Sequence, residues 1–168
     1  MKDKKSLIIY FSRADENYFG GEMRYVDKGN TEIIAEYIKE ITNADMFKVE
    51  PLNSYPADYM KCIEEAKVRT KEHNAPIKKE IPDISSYDVI YLGYPIWWGD
   101  VPHIILTFMD TYKLDGKTII PFCTSGGTGI SESMNTLKKY NKNVNWIEGK
   151  RLSSSKNEIK NWINSLNY

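Results

Sequence analysis

Cysteine and histidine are scarce in these 168 residues, two of each, and that scarcity removes several chemistries at once. Cys62 and Cys123 lie far apart, on an expected helix and an expected strand, and match neither a disulfide framework nor a metal-binding pair. Both read as reduced, buried, small apolar residues. His73 and His103 are too few and too separated for a His-rich metal centre, so no metal site is expected. His73 sits among Lys71, Glu72 and Asn74 on an expected solvated helix face. His103 follows Trp98-Gly99-Asp100-Val101-Pro102 and reads either as a surface histidine at a helix start or as the rim of a pocket. Charge of one sign is also lacking. Lys plus Arg and Asp plus Glu both number 23, a formal net charge of +0, so no global field draws in nucleic acid or an anionic membrane. No apolar run approaches the length needed to cross a bilayer, and Met1-Lys2-Asp3-Lys4-Lys5 leads into a strand rather than a signal-peptide segment. The expectation is a cytoplasmic protein with neither membrane insertion nor nucleic-acid binding.

What is present is the composition of one globular domain over residues 1–168, with 41% hydrophobic and 27% charged residues. Leu7-Ile8-Ile9-Tyr10-Phe11 reads as a central strand, followed by a helix from Thr31 to Asn43 with Ile33, Ile34, Tyr37, Ile38 and Ile41 on one face. Met46 to Val49 is a second strand and a helix begins near Ala57. Asp88 to Leu92 is a third strand, with Val101, Ile104, Ile105, Phe108 and Met109 marking the helix after it. Lys117 to Cys123 is a fourth, weakened by Pro121, which lacks a ladder donor. Ile130, Met134 and Leu137 mark a helix, Val144 to Ile147 a fifth strand, and Ile159, Trp162, Ile163 and Leu166 a last helix, opened by a Ser155/Glu158 capping box. Strict alternation predicts an α/β fold: a three-layer, doubly wound, five-stranded parallel sheet of order 2-1-3-4-5. The polar stretch from Lys78 to Pro82 reads as a connection within one sheet, not a domain linker.

Three loops at the carboxyl ends of these strands carry the chemistry, because ligands of open parallel sheets collect there. After strand one come Ser12-Arg13 and later Gly29-Asn30-Thr31, a helix start whose hydroxyl, amide and free backbone donors suit a phosphate; Asn30 and Thr31 also read as a plain N-cap. After strand three, Gly93-Tyr94-Pro95-Ile96-Trp97-Trp98-Gly99 places two indoles on a loop, either to stack on a planar ligand or to seal the core. After strand four, Thr124-Ser125-Gly126-Gly127-Thr128-Gly129 allows close approach of backbone amides to a ligand, or is a flexible turn. These glycines lack the Lys-Ser/Thr of a P-loop and do not open a first βαβ unit as a dinucleotide fingerprint does. Neither Ser12 nor Ser125 has the preceding glycine of a nucleophile elbow. Together the loops outline a mononucleotide with an aromatic ring.

Tyr10-Phe11-Ser12-Arg13, the delayed Gly29-Asn30-Thr31, Tyr94-Pro95-Ile96-Trp97-Trp98-Gly99 and Pro121-Phe122-Cys123-Thr124-Ser125-Gly126-Gly127 together resemble the bacterial flavodoxin-like FMN proteins, over nearly the whole chain. The resemblance implies non-covalent FMN and one- or two-electron chemistry carried by the flavin. It assigns Ser12, Arg13, Asn30 and Thr31 to the phosphate. Pro95, Ile96, Trp97, Trp98 and Gly99 fall on one side of the isoalloxazine, and Thr124, Ser125, Gly126 and Gly127 on the other. No side chain is implied as a catalytic acid or base. The chain departs from the family's short phosphate loop by an insert, Ala14 to Lys28, which reads as a flap, a partner-contacting loop or an ordered surface excursion.

The function expected is an FMN-binding redox protein carrying out electron transfer to a partner protein, as monomer or homodimer. The neutral charge argues against a pure shuttle and keeps open an NAD(P)H-dependent FMN oxidoreductase reducing a quinone or other small acceptor. The alternative from another class is a flavin-free α/β interaction module that uses Trp97 and Trp98 as anchors.

Overall fold

The structure, a computed structural model, describes residues 4–19, 22–72, 74–78, 81 and 83–166. His73 and most of the expected polar connection (Lys79, Glu80, Pro82) lie outside the described residues. The sheet is built from β1 (Ser6–Tyr10), β4 (Asp45–Lys48), β5 (Val89–Pro95), β6 (Thr118–Thr124) and two short strands, β7 (Asn145–Trp146) and β8 (Lys150–Arg151). All of its pairings are parallel, in the order β4-β1-β5-β6, with β7 and β8 both on the far edge of β6.

Counted by position this is the expected 2-1-3-4-5 order, with one departure: the fifth strand is split. The cause is in β6. Backbone groups of Lys117, Ile119 and Cys123 bond to the β7/β8 side, so by alternation Pro121 also turns its donorless nitrogen that way. No bond to β5 is lost, which is why Pro121 is tolerated mid-strand. The ladder on the outer side breaks there instead. Gly149 passes Pro121 so closely that a Cβ would lie 2.5 Å from its carbonyl oxygen.

Alternation divides the core into two layers. Leu7, Ile9, Phe11, Ile90 and Leu92 pack with α3 (His103–Thr111) and α4 (Ser131–Tyr140), while Ile8, Tyr10, Tyr91, Ile120 and Phe122 pack with α1 (Asn30–Thr42) and α5 (Lys156–Leu166). A strand apolar on both faces is what a sheet covered on both sides demands. α2 (Tyr59–Lys71) lies beside α3. At α5 the Ser155 hydroxyl accepts the Glu158 amide at 3.4 Å, but the Glu158 carboxylate turns to the Ser153 amide and hydroxyl, so only half of the expected capping box forms.

Within the insert, β2 (Asp15–Phe19) and β3 (Glu22–Val26) pair antiparallel, Asp15 opposite Val26 and Phe19 opposite Glu22, as a hairpin beside α2. It stands apart from the parallel sheet.

Candidate functional site

A cavity of about 330 Å³ opens where the ends of β1, β5 and β6 meet the start of α1. It is lined by ten of the residues expected from sequence, namely Ser12, Arg13, Asn30, Thr31, Pro95, Ile96, Trp97, Thr124, Ser125 and Gly126, together with Gly29, Tyr59 and Arg151. Trp98, Gly99 and Gly127 are not among its walls.

One end is the helix start. Gly29 is the N-cap and offers no side chain; Ser12 replaces it from across the chain, its Oγ accepting the Glu32 amide at 3.1 Å. Asn30 and Thr31, whose amides helix geometry leaves without a carbonyl inside α1, border the cavity. Thr31 Oγ1 meets Thr124 Oγ1 at 2.8 Å, tying this helix start to the end of β6. Arg13 is buried, and its Nη2 donates to the Pro56 and Ala57 carbonyls at 2.9 and 2.6 Å. The guanidinium thus anchors the approach to α2 as well as bordering the cavity. Glu32 faces the Tyr10 hydroxyl at 3.2 Å and Lys48 at 3.4 Å; burial first, then this carboxylate, raises the Tyr10 phenol above its usual range.

The indole loop closes as a two-residue turn. Trp97 and Asp100 exchange both backbone bonds (2.9 and 3.1 Å), and between them Trp98 and Gly99 have φ of 53° and 75°, the type I′ pattern. The turn sends its two indoles in different directions. Trp97 packs edge-on against Phe11 and Tyr55, with centroids 5.2 and 5.0 Å apart, and Tyr55 is capped by the Arg69 guanidinium. Trp98 is 54% exposed and lies over α2, its Nε1 donating to the Ile63 carbonyl at 2.7 Å with Lys67 Nζ 4.9 Å from its ring. Trp98 and Gly99, expected beside the ligand ring, lie outside the cavity's walls. Asp100 fixes the loop's far side by accepting from the Val101 amide and from Thr136 Oγ1 of α4, each at 2.7 Å. His103 opens α3, half-buried and outside the cavity's walls.

Trp98 occupies a backbone region that costs a residue with a large side chain about 1–2 kcal/mol. Trp98→Asn removes that strain together with the contacts to Ile63 and Lys67, so stability should change by less than about 1 kcal/mol in thermal unfolding. Ligand affinity at the cavity should stay within about threefold, an energy difference of well under 1.4 kcal/mol.

The third wall is Thr124-Ser125-Gly126. Ser125 Oγ donates to the Thr128 carbonyl at 2.5 Å and accepts from the Gly127 amide at 3.3 Å, and Arg151 grips the same residue through Nε to Oγ (2.9 Å) and Nη2 to the carbonyl (3.2 Å). Under this loop burial pushes the Cys123 thiol up to about 12, although the Arg151 charge pulls the other way. The folded state holds that proton where an unfolded thiol gives it up, so stability is fully present below the ordinary thiol range and falls as pH rises from there toward 12. A thiol reagent at pH 8 should leave native Cys123 unlabelled and react once guanidinium unfolds the chain; rapid native labelling would contradict the burial.

Arg151 and Tyr59 escaped the reading of the sequence. With strand five ending near Ile147, Arg151 fell beyond the sheet; in fact β8 carries the strand position on to Arg151, at the same carboxyl edge as the other loops. Tyr59, the first residue of α2, reads from helical periodicity as an inward-facing residue of that helix, which does not reveal its place at the cavity.

The family model described as Flavodoxin matches residues 23–166. The chain belongs to the flavodoxin family. A protein designated a flavoprotein from Bacteroides eggerthii is 31% identical, covering 99% of both chains, with a TM-score of 0.82. A Lactobacillus acidophilus flavoprotein solved in complex with FMN is 24% identical over 96% of this chain and 99% of its own, TM-score 0.69. Oxidised Flavodoxin 2 from Bacillus cereus is 17% identical over 97% of both, TM-score 0.54, and shares the fold. No curated protein matches the chain. Among the described residues of this flavodoxin no helix is long and apolar enough to cross a membrane.

Proposed function

We propose that this flavodoxin holds FMN in the cavity at the carboxyl edge of its sheet and transfers electrons through it. The observation that carries the reading is the convergence of three different donor chemistries on one space: a helix start with spare amides, an aromatic wall and a polar hydroxyl and amide wall. The donor set fits the group. Its volume lies in the range of small-molecule sites, the Asn30 and Thr31 amides with Ser12 suit a phosphate, and Trp97 with Ile96 and Pro95 offers a flat apolar face. FMN, when bound, supplies the one- or two-electron chemistry.

The protein's own residues bind and orient. Ser12 holds the helix start open toward the phosphate by capping Glu32 from a distance. Arg13 holds Pro56 and Ala57 in place beside the same end. The Thr31–Thr124 bond keeps the phosphate end and the ring end at fixed separation, and Asp100 pins the Trp97 turn to α4. No side chain needs to move a proton.

The protein as purified should be yellow, or, where it is purified without flavin, should show its tryptophan fluorescence quenched on adding FMN; colourless protein whose fluorescence FMN does not quench contradicts the reading. Reduction of the complex followed in the visible then sorts its use. Two separated one-electron stages with negligible NAD(P)H oxidation support electron transfer to a protein partner, and fast NAD(P)H oxidation with a quinone supports the oxidoreductase.

A further inference from the structure

α2 carries a charge on its buried face. Cys62, Ala66 and Arg69 are the residues it turns inward, and at that helical spacing the third position calls for an apolar side chain. Arg69 is instead a guanidinium only 8% exposed. Taking such a group out of water is costly unless its charge and donors are met, so its partners define its task. Nε donates to the Glu65 carboxylate one turn back at 3.0 Å, Nη1 donates to the Asn53 carbonyl at 2.9 Å, and the guanidinium carbon lies 4.0 Å from the centroid of the Tyr55 ring. Its charge is felt at that ring: burial raises the Tyr55 phenol, and Arg69 acts against the rise.

Asn53 and Tyr55 belong to the connection between β4 and α2. That connection has a second anchor, because Arg13 takes the Pro56 and Ala57 carbonyls. Two buried guanidiniums therefore fix the chain on either side of Tyr55. Held there, Tyr55 sets its ring 5.0 Å from the Trp97 indole at 86°, while Phe11 meets the same indole at 5.2 Å and 90°. The two braces differ in origin. Phe11 directly follows β1 and is 2% exposed, so the core holds it. Tyr55 comes from a segment outside any helix or strand and is placed by Arg69. Trp97 borders the cavity, whereas Tyr55 and Arg69 are not among its walls, so Arg69 reaches the ligand space only through the other two side chains.

We propose that Arg69 is a positioning residue of the FMN site: by stacking on Tyr55 and pinning the Asn53 carbonyl, it holds the Trp97 indole in the wall of the cavity. The inference rests on the FMN reading above and deepens it, since it traces the aromatic wall back to a buried charge on α2. An apolar side chain at this position could cover the Tyr55 ring but could not hold the Asn53 carbonyl. The planar guanidinium does both at once. A residue serving only to pair with Glu65 along α2 would act on the helix alone, with no dependence on Trp97.

The test is a double-mutant cycle on FMN affinity, read by fluorescence titration of the full chain, with Arg69→Met and Trp97→Ala made singly and together. Arg69→Met keeps the length of the side chain and removes its charge and donors. It should weaken FMN binding about tenfold when Trp97 is present and less than about twofold when Trp97 is already alanine. Arg69→Lys keeps a cation for Tyr55 but not the guanidinium fork, so it should fall between wild type and Arg69→Met, and it carries the cycle if Arg69→Met does not fold. Equal losses in the two backgrounds, or no loss in either, would show that Arg69 serves the fold alone and overturn the proposal. A second readout needs no flavin: acrylamide quenching of Trp97, isolated by subtracting the emission of the matching Trp97→Phe protein, should rise in the Arg69 variants as the indole loses its brace. Failure of wild type to bind FMN overturns the FMN reading itself; the quenching comparison still decides the role of Arg69, and unchanged access to Trp97 would contradict it.

Discussion

Replacing Gly29 by alanine should weaken FMN binding about a hundredfold, the loss of roughly 3 kcal/mol that follows when two charge-assisted bonds to a phosphate are disturbed. A Cβ on Gly29 would lie 2.4 Å from both the Arg13 carbonyl oxygen and Ser12 Oγ. The hydroxyl can rotate away, but the carbonyl belongs to the chain leaving β1 and cannot move without it. The start of α1 must back off instead, carrying the Asn30 and Thr31 amides with it and breaking the Ser12 cap on Glu32. Overpacking of this kind also costs stability, by about 1–3 kcal/mol. Backbone conformation is not the cause, since Gly29 has φ of −69° and ψ of 161°, open to any residue. Gly29→Ser separates the two explanations. Capping preference alone makes serine at least the equal of glycine at an N-cap, whereas the steric account has Gly29→Ser melt below wild type and lose FMN. A serine variant as stable as wild type would show that α1 has room the geometry denies.

Trp97→Ala is the second large effect. Its indole is braced edge-on by Phe11 and Tyr55 and borders the cavity, so truncation removes both a stacking face and part of the core. FMN affinity should fall by about 1–3 kcal/mol, the range for a base stacked on an aromatic ring. Stability should fall by about 2–3 kcal/mol, less than for a fully buried tryptophan because Trp97 is only half-buried. Trp97→Phe should recover most of both. Equal losses of affinity in Trp97→Ala and Trp98→Asn would contradict the separation of the two indoles, and unchanged affinity in Trp97→Ala would show that this ring faces elsewhere.

That separation marks the boundary of what residue patterns convey. Alternating apolar strands and amphipathic helices predicted the layers and the order of the sheet, because a strand buried on both faces must be apolar throughout. The carboxyl-edge rule then collected Ser12, Asn30, Thr31, Trp97, Thr124, Ser125 and Gly126 around one cavity. It could not tell Trp97 from Trp98, since the I′ turn that splays them uses Trp at a position more often filled by Asn or Asp. Nor could it find Arg151, which depends on a strand interrupted opposite Pro121. Part of the insert was more legible than it looked: Gly20-Gly21 is a two-residue hairpin signal, and although that pair lies outside the described residues, the segments on either side of it pair as β2 and β3.

The central claim, that one cavity at the carboxyl edge holds FMN between the α1 start and the Trp97 and Ser125 loops, is tested most directly by a crystal structure of the protein grown with FMN. The phosphate is expected on the Asn30 and Thr31 amides with Ser12, the ring between Trp97 and Ser125-Gly126, and Trp98 still over α2. FMN lodged elsewhere, or a ring resting on Trp98 with Trp97 buried away from it, would contradict it.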